Sequence, residues 1–172
     1  MNARVAHNQA ERIFYKEFLP RGPLESVKAW IRGSRADRAR AENDKLRAAG
    51  FNAPENIAWG SLPKGRQYLF STAVAGSGVT QWLGKDLAAG QAETLHLRRA
   101  LLSQLGEFVG RLHAAGFIHG DLRTSNVLAD RDGDTFSFSL IDKERHIQCQ
   151  PAAARNVLRN LRQRNRLVPS VC

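Results

Sequence analysis

The sequence predicts an α+β chain of two lobes, a small strand-rich lobe over 1–74 and a helical lobe over 75–172. Three observations carry that expectation. Short alternating apolar and polar runs, broken by Pro, Gly and Asn, fill much of the first lobe. One long apolar stripe of helical period follows, from Leu95 to Ala115. A polar loop, HGDLRTSN at 119–126, then runs into a hairpin signalled by Asp-Gly.

Residues 4–18 read as a hairpin, RVAH and RIFYKEF joined by a polar turn, and the period of two puts Phe14, Lys16 and Phe18 on one face. A lysine placed between two large rings calls for a carboxylate nearby. Pro20, Gly22 and Pro23 end the strand, and an amphipathic piece over Leu24–Ile31 follows. Ser34 to Ala49 reads as a helix closed by Gly50, with Glu42, Leu46 and Ala49 at helical spacing. IAWG and QYLFSTAV, separated by LPKGR, make a second hairpin, and AGSG at 75–78 is a loop at the lobe boundary. In the long helix, Leu101, Leu105, Phe108 and Leu112 form one stripe, with Gly116 past the end. FSFSLID places Phe136, Phe138 and Leu140 opposite Ser137, Ser139 and Ile141, and AARNVLRNLRQRNR is expected to be a basic helical tail.

Composition removes several function classes. The 172 residues carry 26 Lys+Arg against 16 Asp+Glu, a formal charge of +10, and 42% hydrophobic residues, enough to bury a core without disulfides. No uncharged run approaches the roughly 20 residues of a membrane-spanning helix, and no apolar stretch of signal-peptide type follows Met1, so a cytoplasmic chain is expected. Cys149 and Cys172 have no CxxC spacing and read as reduced thiols rather than zinc ligands. The positive excess is mostly arginine, which favours planar anions such as phosphate and carboxylate. Nucleic acid ranks last among anionic partners because no RNP-type aromatic pattern accompanies the charge.

The chemistry-bearing residues fall in an order that phosphoryl transfer requires. It needs a carboxylate to orient the attacking hydroxyl and take its proton, a neutral oxygen ligand close by, and a second carboxylate on Mg²⁺. Asp121, Asn126 and Asp142 match these roles as they stand in kinase-like phosphotransferases, the first two on one loop and the third at the end of the following hairpin. Lys16 on a strand and Glu42 on the next helix stand where such enzymes carry the ion pair that aims a lysine at the nucleotide phosphates. Arg123 is positioned to neutralise charge on the transferred group, and His119 to brace the loop. Taken singly, Lys16 also reads as a solvated edge charge and Glu42 as one end of a surface pair.

Three stretches, RVAHNQAERIFYKEF, RARAENDKLRAAGFNAPENIAWG and HAAGFIHGDLRTSNVLADRDGDTFSFSLIDKERH, with RNVLRNLRQRN in support, resemble the lipopolysaccharide core kinase (Kdo/WaaP) family of the protein-kinase-like fold. IDKER, standing where protein kinases carry Asp-Phe-Gly, is the most family-specific piece. The resemblance implies ATP and Mg²⁺ as cofactors, and a lipopolysaccharide inner-core or other lipid-linked sugar as acceptor at the inner face of the cytoplasmic membrane. It also implies that the first strand and the Gly-rich phosphate-covering loop are missing before Lys16, and that the helical lobe is truncated at its C-terminus. Gly120 replaces the arginine that reads a phosphorylated activation loop, and no Ala-Pro-Glu follows Asp142, which disfavours a protein substrate. Two alternatives are a Bud32/RIO-like atypical protein kinase, suggested by HGDLRTSN, and a truncated non-catalytic module binding an anionic partner.

Overall fold

The computed structural model describes residues 3–20, 22, 33–88, 92–119, 122–141 and 146–148. The chain divides into two units at Val74/Ala75. The amphipathic piece expected over Leu24–Ile31 and the basic tail lie outside the described residues.

In the first unit, β1 (Ala3–Asn8) and β2 (Ile13–Phe18) pair antiparallel from Ala3↔Phe18 to Asn8↔Ile13. The turn between them is held by Asn8, whose Oδ1 accepts from the amides of Ala10 and Glu11 at 3.1 and 3.2 Å. After α1 (Arg35–Ala48), β3 (Asn56–Leu62) and β4 (Arg66–Thr72) make the second hairpin, and the sheet order is β1-β2-β4-β3. Lys16 pairs with Val5 on one side and Leu69 on the other, and Leu69 pairs with Trp59, so these four side chains share a face.

Helix α1 is stopped at both ends by its own sequence. Ser34 and Asp37 form a reciprocal capping box, the Ser34 hydroxyl accepting from Asp37 N at 3.0 Å and the Asp37 carboxylate from Ser34 N at 3.3 Å. At the other end Gly50, at φ +79°, lets its amide reach Arg47 O at 3.0 Å and Phe51 N reach Leu46 O at 2.9 Å. The helix is bolted to the sheet by amides. Gln67 Oε1 on β4 accepts from the amides of Arg35 and Ala36 at 2.7 and 3.2 Å, and Asn43 Nδ2 donates to Asn56 Oδ1 at 2.8 Å. Phe18, Ala36 and Leu69 form the buried seam between them, with Ala39 packed against it. On the opposite sheet face Tyr15, Phe70 and Tyr68 cluster, with ring centroids 4.8 and 5.8 Å apart. Beside them Arg66 Nη1 donates to Glu17 Oε1 at 2.9 Å. Burial first, and then the Glu17 carboxylate, push the Tyr15 hydroxyl above the ordinary tyrosine range, with Arg66 and Arg4 pulling the other way.

The second unit is built around α2 (Ala92–Ala114), whose Leu101, Leu105, Phe108 and Leu112 are all buried, as the stripe requires. Gly116, at φ +81°, ends it. The helix begins three residues earlier than Leu95. Next come β6 (Phe117–His119), a 3₁₀ turn at Thr124–Asn126, the hairpin of β7 (Val127–Asp132) and β8 (Thr135–Leu140), and β9 (His146–Gln148), which pairs with β6; β5 is numbered from the earlier segment Ser77–Gly78. Gln104 ties helix to hairpin, accepting from Phe136 N at 2.7 Å and donating to Asp134 O at 2.9 Å. Two expectations are corrected. Residues 77–78, read as loop, form the strand β5 on the edge of β7. Ser139, placed outward by alternation, is buried opposite the half-buried Leu128, because the second face of the hairpin is also covered there.

Candidate active site

Lys16 is seated by the first unit. Its Nζ lies 5.3 Å from the centroid of Phe18, on the α1-covered face of β2, and the guanidinium of Arg35 lies 4.9 Å from the same ring. Glu42 lies three residues beyond Ala39 and one before the buried Asn43, on the side of α1 turned to the sheet; its side chain is only 15% exposed. Its Oε1 accepts a hydrogen bond from Lys45 Nζ at 3.2 Å. On the same face the sheet leaves open two apolar side chains, Val5 directly across from Lys16 at 60% exposure and Phe14 two residues before it at 38%, with the His7 ring stacked on Phe14 at 4.5 Å. Sequence reasoning placed Phe14 on this face and overlooked Val5 and His7, which reach it through the hairpin register.

In the second unit the loop after β6 delivers Arg123 and Asn126. Arg123 is exposed, with extended backbone at φ −108° and ψ 155°, and its carbonyl accepts from Asn126 N at 2.9 Å. Asn126 is half-buried; Ser125 Oγ donates to its Oδ1 at 3.4 Å, and its carbonyl accepts from Ile141 N at 3.0 Å. That last bond matters most. Ile141 immediately precedes Asp142, so the β7–β8 hairpin returns the chain to the turn holding Asn126. The Val127↔Leu140 pair extends the same contact into the ladder. Asp121 and Asp142 themselves lie outside the described residues.

Arg123 and Asn126 therefore share one turn of the second unit, while Lys16 and Glu42 belong to the helix-covered face of the first. Among the described residues no group of three or more His, Cys, Asp or Glu side chains could hold a metal ion. Likewise no described helix is long and apolar enough to cross a membrane.

The lipopolysaccharide kinase (Kdo/WaaP) family matches residues 27–169. The chain belongs to that family of kinases. Its fold is likewise that of solved relatives. A structure of WaaP in complex with acyl carrier protein superposes with a TM-score of 0.60 at 17% identity, covering 98% of this chain and 72% of that one. The 2.2 Å structure of WbdD gives 0.61 at 22% identity, over 93% of this chain and 35% of that one. Another, of the bifunctional kinase-methyltransferase WbdD, gives 0.60 at 22% over 93% and 34%. A local stretch of 28 residues is 61% identical to a probable bifunctional tRNA threonylcarbamoyladenosine biosynthesis protein of Methanosarcina barkeri (strain Fusaro / DSM 804). It spans 16% of this chain and 5% of that protein.

Proposed function

We propose that this chain is an ATP- and Mg²⁺-dependent phosphotransferase acting on a hydroxyl of an acidic, lipid-linked sugar, a Kdo or heptose of the lipopolysaccharide inner core. The observation that carries the proposal is the Asn126–Ile141 backbone bond. It joins the turn that holds Asn126 to the residue before Asp142 in sequence, which supports a site in which Asn126 would act with Asp121 and Asp142.

The residues suit the groups they would hold. The exposed apolar side chains of Val5 and Phe14 would offer a base an apolar surface to cover on the face that carries Lys16. Lys16 would meet the nucleotide phosphates, with Glu42 as the carboxylate that aims it. Asn126 and Asp142 offer the amide and carboxylate oxygens that a hard octahedral cation prefers. Bound there, Mg²⁺ would supply charge neutralisation at the phosphates. Asp121 would orient the acceptor hydroxyl and take its proton, and Arg123, exposed at the mouth of the turn, would lend positive charge to the transferred group. The formal charge of +10 suits an anionic acceptor at an anionic membrane surface, where each basic group contributes about 1 kcal/mol. WaaP, the structural relative, is itself a member of this kinase class.

A second reading, a Bud32/RIO-like protein kinase, draws on the HGDLRTSN loop at 119–126. The family match over residues 27–169 favours the sugar acceptor.

The test is transfer from labelled ATP to a Kdo- or heptose-containing core oligosaccharide, with a generic protein acceptor in parallel. Asp121→Asn should slow transfer by about 10²–10⁴-fold, the usual worth of a general base, with nucleotide affinity kept. Transfer at the parent rate in that variant would refute the assignment, and labelling of protein alone would favour the second reading.

A further inference from the structure

We infer that Thr80 is a positioning residue for the loop that presents Asp121 and Asn126, acting through Thr124; its consequence for catalysis rests on the phosphotransferase reading, although the contact does not. Thr124 lies in the 3₁₀ turn between those two residues and is 9% exposed. Its Oγ1 is 2.7 Å from Thr80 Oγ1, across 44 residues of sequence. One hydroxyl donates and the other accepts.

The segment that carries Thr80 grips the neighbouring strand at three further points. Gly76, at φ +99°, lies so close to Ala129 and Asp130 that a Cβ would overlap their backbone. Ser77 and Gly78 pair with Ala129 and Leu128, and Trp82 Nε1 donates to Ala129 O at 2.9 Å. Val79, fully buried, anchors the segment between them. These three grips hold β7, the strand after the loop, whereas the Thr80 hydroxyl reaches the loop itself. A three-residue 3₁₀ turn is a weak element when left alone. Threonine suits the task because its β-branch restricts χ1, so a bond to its hydroxyl also fixes the turn's backbone. Metal ligands and general bases lose function when displaced by about 0.5 Å, which makes a brace on this turn a determinant of rate.

The test uses the full chain and the variants Thr80→Val, Thr80→Ser, Thr124→Val and the double Val variant. Amide hydrogen exchange over 122–127 is measured without nucleotide, and turnover with labelled ATP and a Kdo-containing core oligosaccharide. Thr80→Val should raise exchange over 122–127 by about threefold to tenfold, the worth of one net hydrogen bond, with amides of 135–140 unchanged. Turnover should fall by the same order, Thr80→Ser should restore both readouts, and the double variant should be no worse than either single one. Parent-like exchange in Thr80→Val would overturn the brace. Equal damage from Ser and Val would also overturn it, since that is a packing effect. Raised exchange with parent turnover would overturn the role in catalysis. A parent chain that transfers no phosphate would instead refute the proposed function, and the exchange arm would still decide the brace.

Discussion

Truncating Phe18 to alanine should destabilise the strand-rich unit by about 3–5 kcal/mol, the cost of emptying a well-packed aromatic site. The structure supports the upper part of that range. Phe18 is 1% exposed and is the largest member of the seam with Ala36 and Leu69, so little around it can collapse into the space. Its ring also faces two cations, the buried Arg35 at 4.9 Å and the half-buried Lys16 at 5.3 Å, contacts worth about 0.5–1 kcal/mol where the charge is solvated and about 2 kcal/mol where it is desolvated. Phe18→Leu separates the two contributions. Leucine retains most of the apolar volume, so its cost should stay near 1–2 kcal/mol, reporting chiefly the lost ring face. Urea unfolding followed by circular dichroism measures both, and with a slope of roughly 2 kcal/mol/M the alanine variant should shift the midpoint by about 1.5–2.5 M. If Lys16 meets the nucleotide phosphates as proposed, Phe18→Leu, which removes the ring 5.3 Å from its Nζ, should also weaken nucleotide binding more than its stability loss alone would explain. A cost under about 1 kcal/mol for Phe18→Ala, or equal costs for Ala and Leu, would refute the packing argument.

Gly76→Ala should cost at least about 2–4 kcal/mol, since the new methyl combines a left-handed backbone with overlap against the main chain of β7; Gly133→Ala, at φ +58° with open space around it, should cost only about 1–2 kcal/mol. Thermal melts of the two variants check this, and equal losses would remove the steric part of the claim. Tyr15, whose hydroxyl is held above its ordinary pKa of 10, binds its proton more tightly folded than unfolded. Its share of stability is therefore complete below about pH 10 and declines as pH rises through the folded value, so Tyr15→Phe should flatten the alkaline arm of stability against pH. An unchanged alkaline arm would assign the loss to other groups.

Much of the fold was legible because its signals are local. The Ser34 cap, Gly50 and Gly116 each act within one helical turn, so both long helices could be bounded to within a few residues from spacing and end residues alone. The hairpins were legible for the same reason, Asn8 and Pro63–Gly65 being turn residues between alternating strands. What was missed depends on partners far away in sequence. Two residues, Ser77–Gly78, have no periodicity to read, and they are a strand only because Ala129 and Leu128 pair with them. Ser139 obeys its alternation and is buried anyway, because burial is set by what covers a face and not by the pattern along one strand.

The candidate site divides along the same line. Asp121 and Asn126 sit five residues apart on one loop, a spacing visible in any reading, and the Asp-Gly hairpin explains how the chain comes back at Ile141. Lys16 and Glu42 carried no such local signal, since a strand lysine and a helix glutamate are each common on surfaces. Their shared face emerges only when Gln67 and Asn56 fix α1 on the sheet and turn the Glu42 side of the helix inward. Val5 and His7 are further still from view, as they join Lys16's face through a register that the four-residue turn after Asn8 determines. Thr80 gives no local signal at all. A hydroxyl pair 44 residues apart has no period, no charge and no cap, so nothing short of the three-dimensional arrangement could have connected it to the turn that holds Asn126.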